Sequence, residues 1–193
     1  MNMSGDKMKN NFVDEDGVKS LFEILKRIDG YILSANTKAA IVMSYCAAVI
    51  GWFTLGFDRI YSAFISPYLY WPALALGGLL VLVSSYCMYL AVSVILPRTN
   101  STALDDSDDS LIFYGDISSL RKGAEGYAGR LSELKVEDFI LDQCRQIHAV
   151  AGIASAKFDD LKRISKWLKF FGFPLLFLLV ITICINSALR WCV

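Results

Sequence analysis

Two short polar motifs carry the side chains best suited to binding a small molecule. The first is Asn36-Thr37-Lys38. Asn and Thr side chains can hydrogen-bond a base or a ribose, and a Lys ammonium can meet a phosphate as a point charge. Alternatively, Lys38 extends toward lipid headgroups while Asn36 and Thr37 face water. The residues alone leave both interpretations open.

The second motif is Phe113-Tyr114-Gly115-Asp116. It offers two aromatic faces for stacking, a flexible backbone at Gly115 and one carboxylate acceptor at Asp116. The alternative interpretation is a turn that docks on a helical bundle and covers it. Either role requires neighbouring helices to hold the motif in place.

The sequence contains no set of residues that predicts catalysis. It has no nucleophile elbow, no phosphate-binding P-loop, no HExxH and no dinucleotide fingerprint. The only histidine, His148, lies near Arg145 in a predicted helix, where a surface role is expected. The five cysteines show no CxxC or Cys/His spacing, so we expect neither a zinc site nor a disulfide framework. We predict a protein that is not an enzyme and needs no metal or cofactor.

Three uncharged apolar stretches dominate the chain, at 39–57, 72–96 and 170–189. About 20 residues are needed for a helix to cross a hydrocarbon core of about 30 Å. The composition agrees, with 55% hydrophobic residues and a mean hydropathy of +0.45. The sequence therefore predicts an all-α membrane protein with about three transmembrane helices, whose first partner is the lipid bilayer.

The distribution of basic residues predicts the orientation of these spans. Seventeen of the nineteen Lys and Arg residues fall in segments 1–38 and 97–169. The positive-inside rule places both segments in the cytoplasm. Segment 58–71 becomes a short outer loop and 190–193 an outer tail, so the N terminus lies inside and the C terminus outside. The first apolar run begins near Ala39, too deep for the cleavable signal peptide of a secreted protein.

Two amphipathic stretches lead directly into the first and third spans. Apolar residues recur there at alternating steps of three and four, as in a heptad pattern. The first stripe comprises Val18, Leu21, Leu25, Ile28, Ile32 and Ala35. The second comprises Ile140, Cys144, Ile147, Ala151, Ala154, Phe158, Leu161, Ser165 and Leu168. We expect two long cytoplasmic helices that continue into spans one and three and pack side by side.

The rest of 97–169 is predicted to be a linker and a helical sensor region. The segment from Pro97 to Ser110 is polar and acidic, which is typical of a mobile linker. A shorter helix is expected between Ser119 and Leu134, weakened by its glycines.

Several motifs resemble those of the Pycsar transmembrane effectors, in order and in placement relative to the spans. The similar runs are Ile24-Leu25-Lys26-Arg27-Ile28-Asp29-Gly30-Tyr31-Ile32, Ser34-Ala35-Asn36-Thr37-Lys38-Ala39, Leu96-Pro97-Arg98, Ser110-Leu111-Ile112-Phe113-Tyr114-Gly115-Asp116-Ile117, Glu137-Asp138, Gln146-Ile147 and Lys157-Phe158. The resemblance covers roughly residues 20 to 185. One departure is Tyr114, where a second Phe is expected, but Tyr keeps the aromatic face.

The resemblance implies a role in bacterial anti-phage defence. In such systems a neighbouring pyrimidine cyclase makes cyclic UMP or cyclic CMP upon infection. The effector senses this messenger and impairs the bacterial inner membrane, so the infected cell dies before phage spread. The resemblance thus implies a cyclase as functional partner and a cyclic pyrimidine mononucleotide as activating ligand, and it implies no nucleic-acid partner.

On this hypothesis, the two polar motifs and nearby basic residues form the ligand site. Lys38, Arg121 or Lys122 would meet the phosphate, and an aromatic ring would stack on the base. Ligand binding would favour a homo-oligomer or a different helix packing. The expected site residues are Asn36, Thr37, Lys38, Phe113, Tyr114, Gly115, Asp116, Arg121 and Lys122.

Two other functions fit parts of the sequence. A membrane scaffold or accessory subunit would use the apolar stripes to hold a protein partner, and a cyclase gene beside this one would argue against it. A small transporter is disfavoured, because the spans contain no charged residue of the kind that usually marks a substrate path.

Overall fold

The computed structural model describes residues 15–64, 67–97, 110–120 and 122–191, and the regular structure within these ranges is entirely helical. A π-helical turn, Leu168–Gly172, connects the last two helices. The α-helices are α1 (Glu15–Ser62), α2 (Pro67–Ile95), α3 (Tyr114–Ser119), α4 (Gly123–Glu133), α5 (Val136–Trp167) and α6 (Phe173–Trp191). Predictions that involve Arg121, the acidic linker at 98–109 or the tail residues 192–193 lie outside the described residues.

Within the described part of the chain, three helical stretches are long and apolar enough to cross a membrane. They are Asp16–Arg59, Pro67–Ile95 and Val136–Trp191. The predicted fold class, an all-α protein with three membrane-crossing helices, is confirmed. Each predicted span lies inside one of these stretches, except that Leu96 falls just past the end of α2. Where lipid begins and ends along each helix stays a prediction.

The chain divides into two compact units. Unit 1 comprises Met1–Leu33 and Arg98–Ala156, and unit 2 comprises Ser34–Pro97 and Lys157–Val193. Helices α1 and α5 each contribute residues to both units. Unit 1 therefore contains the start of α1, most of α5, and α3 with α4, while unit 2 contains α2, α6 and the remainder of the long helices.

Small side chains make the core of unit 2 tight. On α1, Ala35, Ala39 and Cys46 are fully buried, as are Cys87 and Ala91 on α2. All five belong to one apolar cluster. Small residues let helix backbones approach closely, which compensates for the absence of a hydrophobic driving force between helices in lipid. The two cysteines thus act as small apolar fillers.

Two hydrogen bonds connect the helix ends in unit 2. The Tyr61 hydroxyl donates to the Ala73 carbonyl at 3.0 Å. The Asn186 side-chain amide donates to the Ala63 carbonyl at 3.1 Å. Ala63 lies just past the C-terminal end of α1, where carbonyls lack intrahelical partners, whereas Ala73 lies within the second turn of α2. Asn186, a polar residue of the third span, therefore has a structural role.

The π-helical turn between α5 and α6 has a cause in the sequence. Pro174 has no backbone N–H and its ring crowds the carbonyl four residues earlier, that of Phe170. A wider turn relieves this conflict, and Phe173 donates its N–H to the Leu168 carbonyl five residues back. The helix thus continues through a proline that would otherwise kink or end it.

The buried face of α5 differs from the apolar stripe expected from the sequence. Cys144, Ala151 and Ser165 were expected to be buried and are exposed, so that part of the prediction is wrong. The buried positions of this helix include four that the stripe omitted: Gln143, Gln146, Lys157 and Ile164. An apolar pattern assigns polar residues to the outer face, whereas Gln146 and Lys157 are buried with hydrogen-bond partners.

Candidate functional site

A buried serine organises the polar centre of unit 1. The Ser110 hydroxyl donates to Asp142 Oδ2 at 3.1 Å and accepts from Gln146 Nε2 at 3.1 Å. The Ser110 backbone N–H donates to Asp116 Oδ2 at 3.0 Å. Asp142 Oδ2 also accepts the Leu111 N–H at 3.0 Å. Two side chains of α5, Asp142 and Gln146, therefore hold the Ser110 side chain in place, and Asp142 also holds the Leu111 backbone.

The same hydroxyl shapes the chain that leads into α3. Ser110 Oγ accepts the backbone N–H groups of Ile112 and Phe113, both at 3.1 Å. A serine that bonds to N–H groups two and three residues ahead makes a tight local turn. Tyr127 of α4 donates its hydroxyl to the Leu111 carbonyl at 3.1 Å. This turn is therefore held by α4 as well as by α5.

The predicted aromatic motif lies immediately after this turn. The Phe113 and Tyr114 rings contact each other, with centroids 4.8 Å apart. Phe113 is half-buried and its ring covers Gly115, whereas Tyr114 is 69% exposed. The Asp116 carboxylate is already engaged by the Ser110 N–H. Phe113 and Asp116 thus fit the docking-turn alternative, and the exposed Tyr114 ring is the member accessible to a ligand.

A cleft of about 410 Å³ lies beside the Ser110 centre. Its walls come from the end of α4, the first half of α5 and the 110–111 backbone. Both signs of charge line it. The charged lining residues are Arg130, Glu133, Asp138, Asp142 and Arg145. Such a lining suits a ligand that carries both a negative group and hydrogen-bond donors.

The cleft was not among the predicted sites. The basic residues expected to meet a phosphate were Arg121, which lies outside the described residues, and Lys122. Lys122 is exposed, precedes α4 with a left-handed φ of 71°, and is not among the residues that line the cleft. Arg130 and Arg145 are 15 positions apart in the sequence, so spacing alone did not link them. Arg130 lies four residues before the α4–α5 connection at 134–135 and Arg145 lies ten residues after it, so only the packing of the two helices brings them to one cleft.

Unit 2 has its own buried polar centre, at Lys157. This side chain is only 3% exposed. Its ammonium donates to Asn36 Oδ1 at 3.0 Å and to the backbone carbonyl of Val94. Val94 lies in the last turn of α2, where carbonyls lack intrahelical donors and a cation is favoured. Lys157 thus joins α1, α2 and α5 at one point.

The remaining residues of the Asn36-Thr37-Lys38 motif face outward. Thr37 and Lys38 are exposed, and the Lys38 ammonium lies 5.8 Å from the Phe158 ring centroid. This is the geometry of a cation–π contact. The two predicted motifs belong to different units, since Asn36 to Lys38 lie in unit 2 and Phe113 to Lys122 in unit 1.

Gln143 is fully buried, and neither its amide oxygen nor its amide nitrogen has a hydrogen-bond partner among the described residues. Burying an unpaired polar group costs about 1–3 kcal/mol. Gln143→Leu is therefore expected to raise the thermal unfolding temperature in detergent, at roughly 2–4 °C per kcal/mol for a chain of this size. Gln146→Leu, one turn later, removes the hydrogen bond to Ser110 and should lower the unfolding temperature. Equal destabilisation by both variants would contradict the assignment of Gln143 as unpaired.

The three membrane-crossing helices define a multi-pass membrane protein. The Pycsar effector protein domain, PycTM, matches residues 20–185, and the chain belongs to this family of transmembrane effectors. It is similar to the Pycsar effector protein EcPycTM of Escherichia coli, with 28% identity over 160 residues that cover 81% of this chain and 85% of that protein. No solved structure matches.

Family membership confirms the resemblance seen in the motifs. It supports an effector role in anti-phage defence, and it makes the chain a membrane effector rather than a nucleotide cyclase.

Proposed function

We propose that this protein is a ligand-gated effector: a cyclic pyrimidine mononucleotide, cyclic UMP or cyclic CMP, activates it, and it then impairs the bacterial inner membrane. The observation that carries the proposal is the occurrence of three membrane-crossing helices in a chain of the Pycsar effector family. Activation causes abortive infection, in which the infected cell dies before phage are released. A pyrimidine cyclase is the functional partner that supplies the ligand.

The distribution of charge supports a cytoplasmic location for the sensing region. Segments 1–38 and 97–169 hold seventeen of nineteen basic residues, which favours the cytoplasmic side for both. The proposed topology therefore has a cytoplasmic N terminus and a periplasmic C terminus. It places the polar centre and the cleft of unit 1 in the compartment where a cyclase would release its product.

Activation requires two states that differ in their affinity for the ligand. A ligand shifts an equilibrium only by the difference between its binding free energies for the two states. The proposed active state is a homo-oligomer or a changed helix packing in the membrane. Either change would open a conducting path or disorder the surrounding lipid.

The test measures membrane integrity in cells that carry this protein and an inducible pyrimidine cyclase. Entry of a DNA-binding dye and loss of membrane potential are expected only when the protein and an active cyclase are both present. A cyclase with an inactivated catalytic site is the matched control. Intact membranes with both cyclic UMP and cyclic CMP supplied would overturn the proposal, as would equal damage without any cyclase.

A second candidate function, a membrane scaffold that holds a protein partner, is favoured by apolar residues at the surface of unit 1. On α1, Phe22 is 47% exposed, Tyr31 52% and Leu33 68%. A scaffold would show no affinity for either nucleotide in calorimetry. It would instead lose phage protection when these side chains are replaced by serine.

A further inference from the structure

We propose that the cleft between α4 and α5 is the nucleotide site, with Arg130 and Arg145 binding the phosphate and either Glu133 or Asp138 accepting a hydrogen bond from the ribose 2′-hydroxyl. This inference rests on the proposed function, since it names the site at which the activating ligand binds. It differs from the site expected from the sequence, which relied on Lys38, Arg121 and Lys122 for the phosphate.

Helical spacing brings one arginine and one carboxylate to the cleft from each side. On α4, Arg130 and Glu133 are three residues apart and lie on the same face of the last turn. On α5, Asp138 and Arg145 are seven residues apart, two turns along one face. All four line the cleft. Each of the two helices thus contributes one guanidinium and one carboxylate to the cleft.

These groups match the chemistry of a cyclic mononucleotide. Its phosphodiester carries a single negative charge, and an arginine guanidinium can bind two phosphate oxygens at once through its planar fork. The ribose of a 3′,5′-cyclic nucleotide keeps its 2′-hydroxyl, for which an acidic side chain is a common acceptor. A purely basic cleft would suit a polyanion better. The mixed lining favours a ligand that has one charge and a free hydroxyl.

The other acidic residue of the cleft has a different task. Asp142 Oδ2 already accepts hydrogen bonds from the Ser110 hydroxyl and the Leu111 N–H. Asp142 is therefore a positioning residue that fixes the 110–111 backbone as part of the cleft wall.

The size of the cleft also suits a small ligand. Its volume of about 410 Å³ falls within the range of about 300–1,000 Å³ that is usual for small-molecule pockets.

The first test is equilibrium binding of cyclic UMP and cyclic CMP to the intact, detergent-solubilised protein. Arg130→Gln and Arg145→Gln are each expected to weaken binding about 10- to 100-fold, because each removes charged hydrogen bonds to the phosphate. Arg145→Lys keeps the positive charge but loses the planar guanidinium that can bind two phosphate oxygens. Its affinity for the nucleotide should therefore lie between that of Arg145→Gln and that of the unaltered protein. Arg27→Gln, an exposed arginine of α1, is the matched control and should bind normally.

The outcomes separate this inference from the function on which it rests. If the unaltered protein binds neither nucleotide, the proposed function fails. If the unaltered protein binds and both glutamine variants bind equally well, the function stands and the cleft assignment is overturned. Loss of binding in Lys38→Ala alone would return the site to the motif in unit 2. Circular dichroism of each variant shows whether a loss reflects unfolding.

The second test asks whether a carboxylate accepts the ribose hydroxyl. Binding of the ribonucleotide is compared with that of its 2′-deoxy analogue, for the unaltered protein and for Glu133→Gln and Asp138→Asn. The unaltered protein should prefer the ribonucleotide about tenfold, and removing the accepting carboxylate should abolish that preference. Glu125→Gln, an exposed residue of α4 outside the cleft lining, should keep it. An undiminished preference in both cleft variants would contradict the assignment of the carboxylates.

Discussion

Lys157→Met is expected to lower the thermal unfolding temperature of the detergent-solubilised protein by roughly 6–12 °C. The substitution leaves the Val94 carbonyl and Asn36 Oδ1 without the ammonium that donates to them. Hydrogen bonds to a charged group are worth about 1.5–3 kcal/mol each. Part of this loss is offset, because the variant no longer has to desolvate a buried ammonium group on folding. We expect a net loss of about 3 kcal/mol, which corresponds to that temperature change at about 2–4 °C per kcal/mol.

The matched control is Lys162→Met, one turn and a residue further along α5. The Lys162 side chain is 73% exposed and pairs with Asp159 at 2.9 Å. Exposed pairs of this kind contribute at most about 1 kcal/mol. A double variant with Asn36→Leu should lose less stability than the two single variants together, since both remove the same bond. Equal effects of the Lys157 and Lys162 substitutions would contradict the role assigned to Lys157.

Gly77→Leu should prevent α1 and α2 from packing as they do in unit 2. A Cβ atom at Gly77 would overlap the Phe53 ring and lie 2.7 Å from the Tyr61 hydroxyl. Moving either ring aside would break other contacts. The Phe53 ring packs edge-on against Tyr61 at 6.0 Å, and the Tyr61 hydroxyl is held by the Ala73 carbonyl. We expect a loss of about 3 kcal/mol, at the upper end of the cost of overpacking, and a much smaller yield of folded protein.

The neighbouring glycine provides the control. A Cβ atom at Gly78 would meet nothing within 4 Å. Gly78→Leu should therefore leave the unfolding temperature and the size-exclusion profile in detergent close to those of the unaltered protein. Indistinguishable profiles for the Gly77 and Gly78 variants would show that the close approach at Gly77 does not limit packing.

The membrane-crossing helices could be predicted from the sequence because their cause is local. An uncharged run of about 20 residues is long enough to cross lipid whatever its neighbours are. The stripe that ends at Ala35 runs into the first apolar block without a break, and the structure has one helix from Glu15 to Ser62. The motifs around Asn36 and Ser110 indicated the family, and the match over residues 20–185 confirms it.

The sequence shows that α2 contains small residues, but not which of them packs against a neighbouring helix. Gly77 and Gly78 are adjacent residues of the same type, so the sequence alone does not distinguish which of them faces another helix. The rotation of α2 decides between them, because consecutive residues of a helix point about 100° apart. Gly77 is buried against Phe53, and Gly78 has open space where its side chain would be.

The chain's own composition and periodicity determined that it is helical and that three helices can cross a membrane, and its motifs resembled those of the family to which it belongs. Tertiary structure alone decided which polar residues are buried and which charged residues share a cleft. Lys157 and Asn36 are 121 positions apart, and Ser110 and Gln146 are 36 apart. A polar side chain is predicted to be solvent-exposed until its distant partner is known, because only that partner makes its burial favourable.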